Sequence, residues 1–531
     1  MKIFTYKKIL LYLILLSAMV SCNKFGDTNV NPTKSSNLDP AAQLALVQLR
    51  FSGDLMINER LGAIMTMPMV QHLGGLNSNG YGQFYIKAPA YMDAYWNETY
   101  LHDISNIVDA VERTKDDATK SNLNAMCQIM KVYLFARLTD IYGDIPYSEA
   151  GMGYISKNIH PKFDKQEDIY NDFFNELKTA YQQLDVTKDP VSKDLFYAGN
   201  ITAWKKFANS LRLRLAMRLI KRDPARAEAE ALAAYNDGVF TSNADVCKLE
   251  HENTTRSYED IRGNAVSASI NSGAGARLPA LCNTFLDVLY NMNDPRLSRI
   301  ARYYLDDEYD AQARVDFTDQ AVPVLGYKGI QPTSYVWDDW VTPADYTIPN
   351  VGTVTASSYE QKAQLASFLI RNDATFLHLT YAEVEFLLAE AAFRFGGNFG
   401  GTPNDHFKKG LEAACGQLSL FPGAPVIPAT EVMAFVNGNT LIPGRELEMI
   451  GTQLWVNFLL NGPEAYSSWR RTGYPNLVPA FKSGYSTSNT IPRRFEYPLL
   501  EKEQNGANVN AAIQAMGGTD TWNGRVWWDK E

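Results

Sequence analysis

Apolar side chains recur at i, i+3, i+4 and i+7 through most of this chain, a spacing that directs it into packed helices. In 122–142, Met126, Ile129, Met130, Tyr133, Leu134, Leu138 and Ile141 make one broad stripe. In 166–184, Ile169, Phe173, Leu177, Ala180, Tyr181 and Leu184 share a face. The same period predicts helices over 41–73, 95–113, 204–220, 225–236, 277–292, 359–369, 381–395, 406–415 and 445–460. A striped helix must bury its stripe against another element, so the expected fold class is mainly α. Gly143 and the Gly396-Gly397 pair stand where helices should stop. Three successive pairs have tetratricopeptide character: 122–142 with 166–184, 200–220 with 225–236, and 389–392 with 411–415. No strict period of about 34 residues joins them.

The length of 531 residues corresponds to several domain-sized masses or one continuous fold, at about 150 residues per domain. With 46% hydrophobic and 21% charged residues the chain is not disordered. A formal charge of −9 argues against nucleic acid, because phosphate binding needs clustered Lys and Arg.

The first 21 residues read as an address. Lys2, Lys7 and Lys8 precede an apolar run over 9–20. That run is too short for a bilayer core of about 30 Å and suits a secretory signal. Small residues Ser17, Ala18 and Ser21 lead to Cys22, an arrangement that resembles a bacterial lipoprotein signal, with Met19 where Leu is usual. Cys22 is therefore the expected lipidation site, and acyl chains would anchor the protein. Loss of 1–21 removes three lysines and no acid, taking the charge from −9 to −12. Residues 22–39 read as a flexible tether, and 40–531 as a single domain. No later stretch reaches 18 apolar residues, so no further span is expected. Cys127, Cys247, Cys282 and Cys415 are scattered; Cys127 and Cys415 read as small core residues, and one disulfide among the four is left open.

Catalytic signatures are absent: there is no HExxH, no CxxC, no phosphate loop and no nucleophile elbow. The isolated histidines, His102 and His378 among them, read as ordinary core or surface residues. The acidic stretch Asp306, Asp307, Glu308 and Asp310 lacks the central Gly and terminal Glu of a calcium loop and reads as solvated charge. Glu383, Glu385 and Glu390 read as helix-cap or surface charges. No cofactor, no metal and no enzymatic activity are expected.

Four strings together carry a family resemblance. Tyr-Gly-Asp-Ile-Pro ends a helix at 142–146, with Gly143 for the turn and Pro146 against continuation. Tyr-Ala-Glu-Val-Glu-Phe-Leu-Leu-Ala-Glu-Ala follows at 381–391. Then come Glu446 and Trp455, with Trp-Arg-Arg-Thr-Gly at 469–473, and Pro-Arg-Arg-Phe-Glu-Tyr-Pro at 492–498. Trp527-Trp528-Asp529-Lys530 closes the chain. In this order, behind a lipoprotein-like signal, they resemble SusD/RagB-type nutrient-binding outer-membrane lipoproteins, the SusD-like subgroup. The resemblance implies about four tetratricopeptide-like helix pairs supporting a loop-rich ligand-binding half. It implies a lipid-anchored place on the cell surface at the outer membrane, as in Bacteroidota. It also implies a SusC-type TonB-dependent transporter as partner and oligosaccharides as cargo. Peptide capture, as by RagB-type members, is the alternative, and a surface glycosidase the remotest reading. Tyr142, Asp144, Glu390, Trp469 and Arg493 are then scaffold residues, and Arg470 or Arg471 binds a buried carboxylate such as Glu446.

Cargo contacts are expected instead from long aromatic-rich loops over 74–91, 331–355, 481–498 and 517–529. Aromatic faces stack on the apolar faces of pyranose rings while amides and carboxylates satisfy the hydroxyls. The candidates are Tyr81, Phe84, Tyr85, Trp337 and Trp340, with Asn79, Gln83 and Asp338 as polar partners.

Overall fold

The computed structural model describes residues 38–75, 79–255, 257–271, 279–305, 314–334 and 338–531. Ten helices carry the frame. They are α1 (Pro40–Gly53), α2 (Ser105–Thr114), α3 (Ser121–Tyr142), α4 (Gln166–Gln183), α5 (Ile201–Arg218), α6 (Pro224–Asp237), α7 (Tyr381–Phe395), α8 (Pro403–Gly416), α9 (Glu446–Asn457) and α10 (Gly462–Thr472). α1 packs on α2, α3 on α4, α5 on α6 and α7 on α8, giving four helix pairs. Neighbouring pairs touch through α2–α3, α4–α5 and α5–α7, so the pairs stack in series. α9 and α10 then extend the stack from α7.

Local chemistry sets the helix ends. Asp223 accepts from Arg226 N with Pro224 at the first turn, and Thr402 with Asp405 forms a reciprocal capping box before α8. Gly143 ends α3 at φ 91° and Gly396 ends α7 at φ 85°. Close approach of α7 and α8 needs Gly410, where a Cβ would sit 2.5 Å from the Phe386 ring.

Four predicted helices differ; that over 95–113 winds through a π-helix, Thr99–Ile104, between α-helical segments. The 41–73 segment breaks at Asp54, whose extended backbone stops α1 and whose carboxylate accepts from Met56 N and Ile57 N of the next turn. The chain then winds through a π-helix, Glu59–Thr66. Residues 359–369 form a short strand, Gln364–Leu365, and a 3₁₀ turn, Ser367–Leu369, because Ala363 N bonds Lys328 O and Ala366 N bonds Ile300 O. Over 277–292 the helix occupies only Asn283–Asn291 of the described residues, since Ala280–Leu281 pairs as a strand. Those two strands join Leu73–Gly74 and Ala301–Arg302 in a small antiparallel sheet, and Ala344–Ile348 with Gly352–Ala356 makes a separate hairpin.

The four sequence strings meet in one buried knot. Tyr142 donates to Met92 O, and Asp144 accepts from Gln166 N. Tyr497 donates to Asp144 O at 2.6 Å and Arg494 to Tyr142 O at 2.9 Å. Asp140 accepts from Tyr170 Oη, Trp528 Nε1 and Arg218 Nε. Arg493 grips Asp529 at 2.6 Å, and Trp469 is buried. Arg471 binds a buried carboxylate as expected, but it is Glu390 at 2.7 Å, not Glu446. Glu446 lies near the surface and accepts from Gly444 N. Arg470 donates instead to the carbonyls of Asp140 and Arg493. Glu383, Glu385 and Glu390 are not surface charges: each is buried, paired with Arg214, His406 and Arg471 respectively. α7 is buried on nearly all sides, so even its polar positions face protein.

The four described cysteines are free and buried, so none forms a disulfide. His378 is buried, as is His72, whose Nε2 donates to Trp455 O at 3.0 Å. Burial lowers the His72 imidazole from its ordinary 6.5 to about 3. Below pH 6.5 the unfolded chain takes up a proton that the folded chain refuses. His72 therefore costs up to about 1.4 kcal/mol of stability per pH unit as the pH falls toward 3. Replacing it with Gln, which can still donate to Trp455 O, should shrink the stability difference between pH 7 and pH 5 by about 2 kcal/mol in urea titrations. An unchanged difference would mean that His72 is protonated in the fold.

Among the described residues no helix is long and apolar enough to cross a membrane, and no cluster of His, Cys, Asp or Glu could hold a metal. Cys22 and the acidic residues Asp306, Asp307, Glu308 and Asp310 lie outside the described residues.

Candidate functional site

The loops predicted to carry cargo contacts lock together around Gln83. Its Nε2 donates to Pro332 O at 2.8 Å and Ser334 O at 2.9 Å, and its Oε1 accepts from Gly75 N at 2.9 Å. The helix Asn79–Gln83 lies hard against the π-helix, since a Cβ on Gly82 would sit 2.2 Å from Met65 O. Tyr85 adopts φ 53°, and its carbonyl accepts from Thr487 N and Oγ1. Its hydroxyl accepts from Ala480 N at 2.9 Å, and burial pushes the phenol up to about 12. These contacts carry the 478–488 loop onto the 79–91 loop.

The expected residues therefore divide. Phe84 and Tyr85 are fully buried, and Gln83 nearly so, which corrects the stacking and hydroxyl-binding roles expected of them. Their rings and amide shape the loops and offer no face to cargo. Tyr81 is half-buried, with its ring 5.3 Å from that of Tyr91. Trp340 is 65% exposed. Asp338 pairs with Lys482, whose ammonium lies 5.6 Å from the Tyr485 ring. Behind Trp340, the buried ammonium of Lys362 holds Asp339 at 2.6 Å and steadies the loop base. Burial lowers the Lys362 pKa, against the opposing pull of Asp339. Trp337 and the side chain of Asn79 lie outside the described residues.

The structure adds exposed rings beyond those expected from the sequence. Tyr485, Phe481 and Tyr258 are 57%, 48% and 48% exposed. Arg60, on the π-helix, lies 5.8 Å from the Tyr91 ring centroid and 5.4 Å from that of Tyr258. Phe481 and Tyr485 fall in the aromatic-rich loop over 481–498, but nothing in the sequence distinguishes outward from inward rings. Tyr258 and Arg60 carry no signal short of their neighbours in space. The outcome is two groups: Tyr81, Tyr91 and Tyr258 about Arg60, and Tyr485 with Asp338 about Lys482, with the exposed rings of Trp340 and Phe481 adjoining Asp338 and Lys482 in sequence. Such a surface can stack flat ligands and hydrogen-bond their edges. A cleft of about 650 Å³ opens elsewhere, against Trp527, Arg222 and Lys530 on the helical frame. An open platform for a polymer need not form a deep cavity, so the ring-bearing loops are the better candidate.

Residues 34–498 match a family model described as SusD-like, starch-binding and associating with the outer membrane. A solved chitin-binding protein is 38% identical, with 93% of this chain and 100% of that one covered, at a TM-score of 0.81. A SusD-like protein of Bacteroidetes AC2a is 33% identical over 93% and 100% of the two chains, at 0.85. A SusD homologue from Bacteroides uniformis, 24% identical over 93% and 99%, shares the fold at 0.71. No curated protein sequence matches the chain.

Proposed function

The chain belongs to the SusD-like family, and from that premise we propose that it is a cell-surface lipoprotein that captures oligosaccharides and hands them, unaltered, to a SusC-type TonB-dependent transporter. The observation that supports this reading is the exposed rings carried on loops that hydrogen-bond to one another. Pyranose rings present apolar faces that such rings cover, and the charged groups of Arg60, Lys482 and Asp338 suit sugar hydroxyls. Trp340, Tyr81 and Asp338 remain the contacts expected from the sequence, joined by Tyr485, Phe481 and Tyr258. Trp337 and Asn79 stay in the proposal on sequence grounds.

The name of the 38% identical relative makes β-1,4-linked N-acetylglucosamine oligomers the first cargo to test. Attachment rests on Cys22, whose mature mass should carry acyl chains. Peptide capture gains no support from the relatives' names. A thermal-shift panel of chitin, starch and cellulose oligomers beside oligopeptides should raise the melting temperature with a glycan alone, because ligand binding stabilises the folded state. A shift with peptides and none with glycans would replace the reading. In mild detergent the lipidated chain should co-purify with a β-barrel transporter; its isolation alone would remove the delivery role.

A further inference from the structure

The π-helix Glu59–Thr66 is eight residues of wide helical turn packed against the helices Asn79–Gln83 and Pro89–Glu98, which carry Tyr81 and Tyr91. π turns are uncommon and gather at functional positions. This one presents Arg60 beside two tyrosines: its guanidinium carbon is 5.8 Å from the Tyr91 centroid and 5.4 Å from that of Tyr258. Tyr91 continues the line to Tyr81, 5.3 Å away. Tyr258 is fixed in turn, since its hydroxyl donates to Glu59 Oε2 at 2.7 Å. Glu59 Oε2 also lies 3.5 Å from Arg60 Nη1. The guanidinium is thus a set of planar donors held among apolar faces, with a carboxylate offsetting its charge.

Three substituents could meet it on a sugar. A hydroxyl has an acceptor oxygen but no apolar part to lie on the rings. A uronic carboxylate would meet the nearby Glu59 carboxylate, which cancels most of the attraction. An acetamido group is planar, carries a strong carbonyl acceptor for the guanidinium edge, and has a methyl group that packs on an aromatic face. Resting on the capture reading above, we infer that Arg60 is a specificity-determining residue that reads the acetamido group of an N-acetylhexosamine, with Tyr91 and Tyr258 covering its methyl. The site then takes 2-acetamido oligosaccharides in preference to otherwise identical glucans.

The test compares chitohexaose with cellohexaose, which share the β-1,4 backbone and differ at this substituent, by calorimetry on the intact protein. Wild type should favour chitohexaose. Arg60→Met, which keeps an apolar stem, should weaken chitohexaose about tenfold or more, the range for a hydrogen bond to a charged donor, and leave cellohexaose unchanged. Arg60→Lys should fall between, having a point charge without the planar fork. Saturation-transfer NMR on wild type, independent of any variant's folding, should show the acetamido methyl among the most strongly saturated protons. Equal loss for both sugars, or a weakly saturated methyl, overturns the role of Arg60. Wild type binding neither sugar overturns the role of Arg60 too, whereas the capture reading falls only if no glycan of the wider thermal-shift panel binds.

Discussion

Glu383→Ala should lower the stability of the folded chain by about 3–5 kcal/mol, read from the urea midpoint, the range for removing one partner of a buried ion pair. Glu383 and Arg214 have side chains only 1% and 3% exposed, with Arg214 Nε 2.5 Å and Nη2 2.7 Å from the two carboxylate oxygens. Burial raises the Glu383 pKa, against the pull of Arg214. The asymmetry between the partners matters. A stranded Glu383 could take up a proton and become neutral, whereas a stranded guanidinium cannot shed its charge. Arg214 would keep Glu464 at 3.6 Å and the carbonyl of His378, so the loss should not exceed that range. Arg214→Met should therefore cost less than Glu383→Ala. If both variants unfold with wild type, the knot joining α5 to α7 is not what holds the stack together. Glu448→Ala, which breaks the exposed pair with Arg445, serves as the control and should leave the midpoint in place.

The second large effect concerns affinity and leaves stability alone. Trp340 and Tyr485 are 65% and 57% exposed, so truncating them opens no cavity in the core. Aromatic residues that dominate a binding surface typically cost about 2 kcal/mol or more when cut to alanine, a factor of about 30 in affinity. The double variant Trp340→Ala with Tyr485→Ala should bind chitohexaose some hundreds of times more weakly, short of full additivity because the two rings share one ligand. The melting temperature without sugar should match wild type. Affinity unchanged in the double variant would move the binding face elsewhere, and the cleft beside Trp527 would be the next place to look.

Much of the frame was legible because the helical period marks a segment's extent even where, as in α3, nearly every side is buried. The stripe over 122–142 became α3 at Ser121–Tyr142, and that over 166–184 became α4 at Gln166–Gln183. The segment 359–369 misled because its apolar residues serve a strand and a turn whose hydrogen-bond partners, Lys328 and Ile300, are remote in sequence. α7 misled in another way. Its glutamates look like a solvated face, but the helix is enclosed, and each acid needs a cation that only the fold supplies. At the candidate site the aromatic-rich loops were legible as segments. Which rings face outward was not, because loops have no period to fix direction. Tyr81, Phe84 and Tyr85 are neighbours in sequence, yet two of them are core and one lines the face. Arg60 sits on a segment that reads as plain helix, and only the approach of Tyr91 and Tyr258 in space marks it out.

Equilibrium dialysis of chitohexaose against the intact protein, followed by mass spectrometry of the recovered sugar, tests capture without chemistry most directly. The account predicts saturable retention at one site per chain and a hexamer returned at its original length. No retention of chitohexaose or of any other glycan oligomer tested in its place, or recovery of shortened sugars, would contradict it.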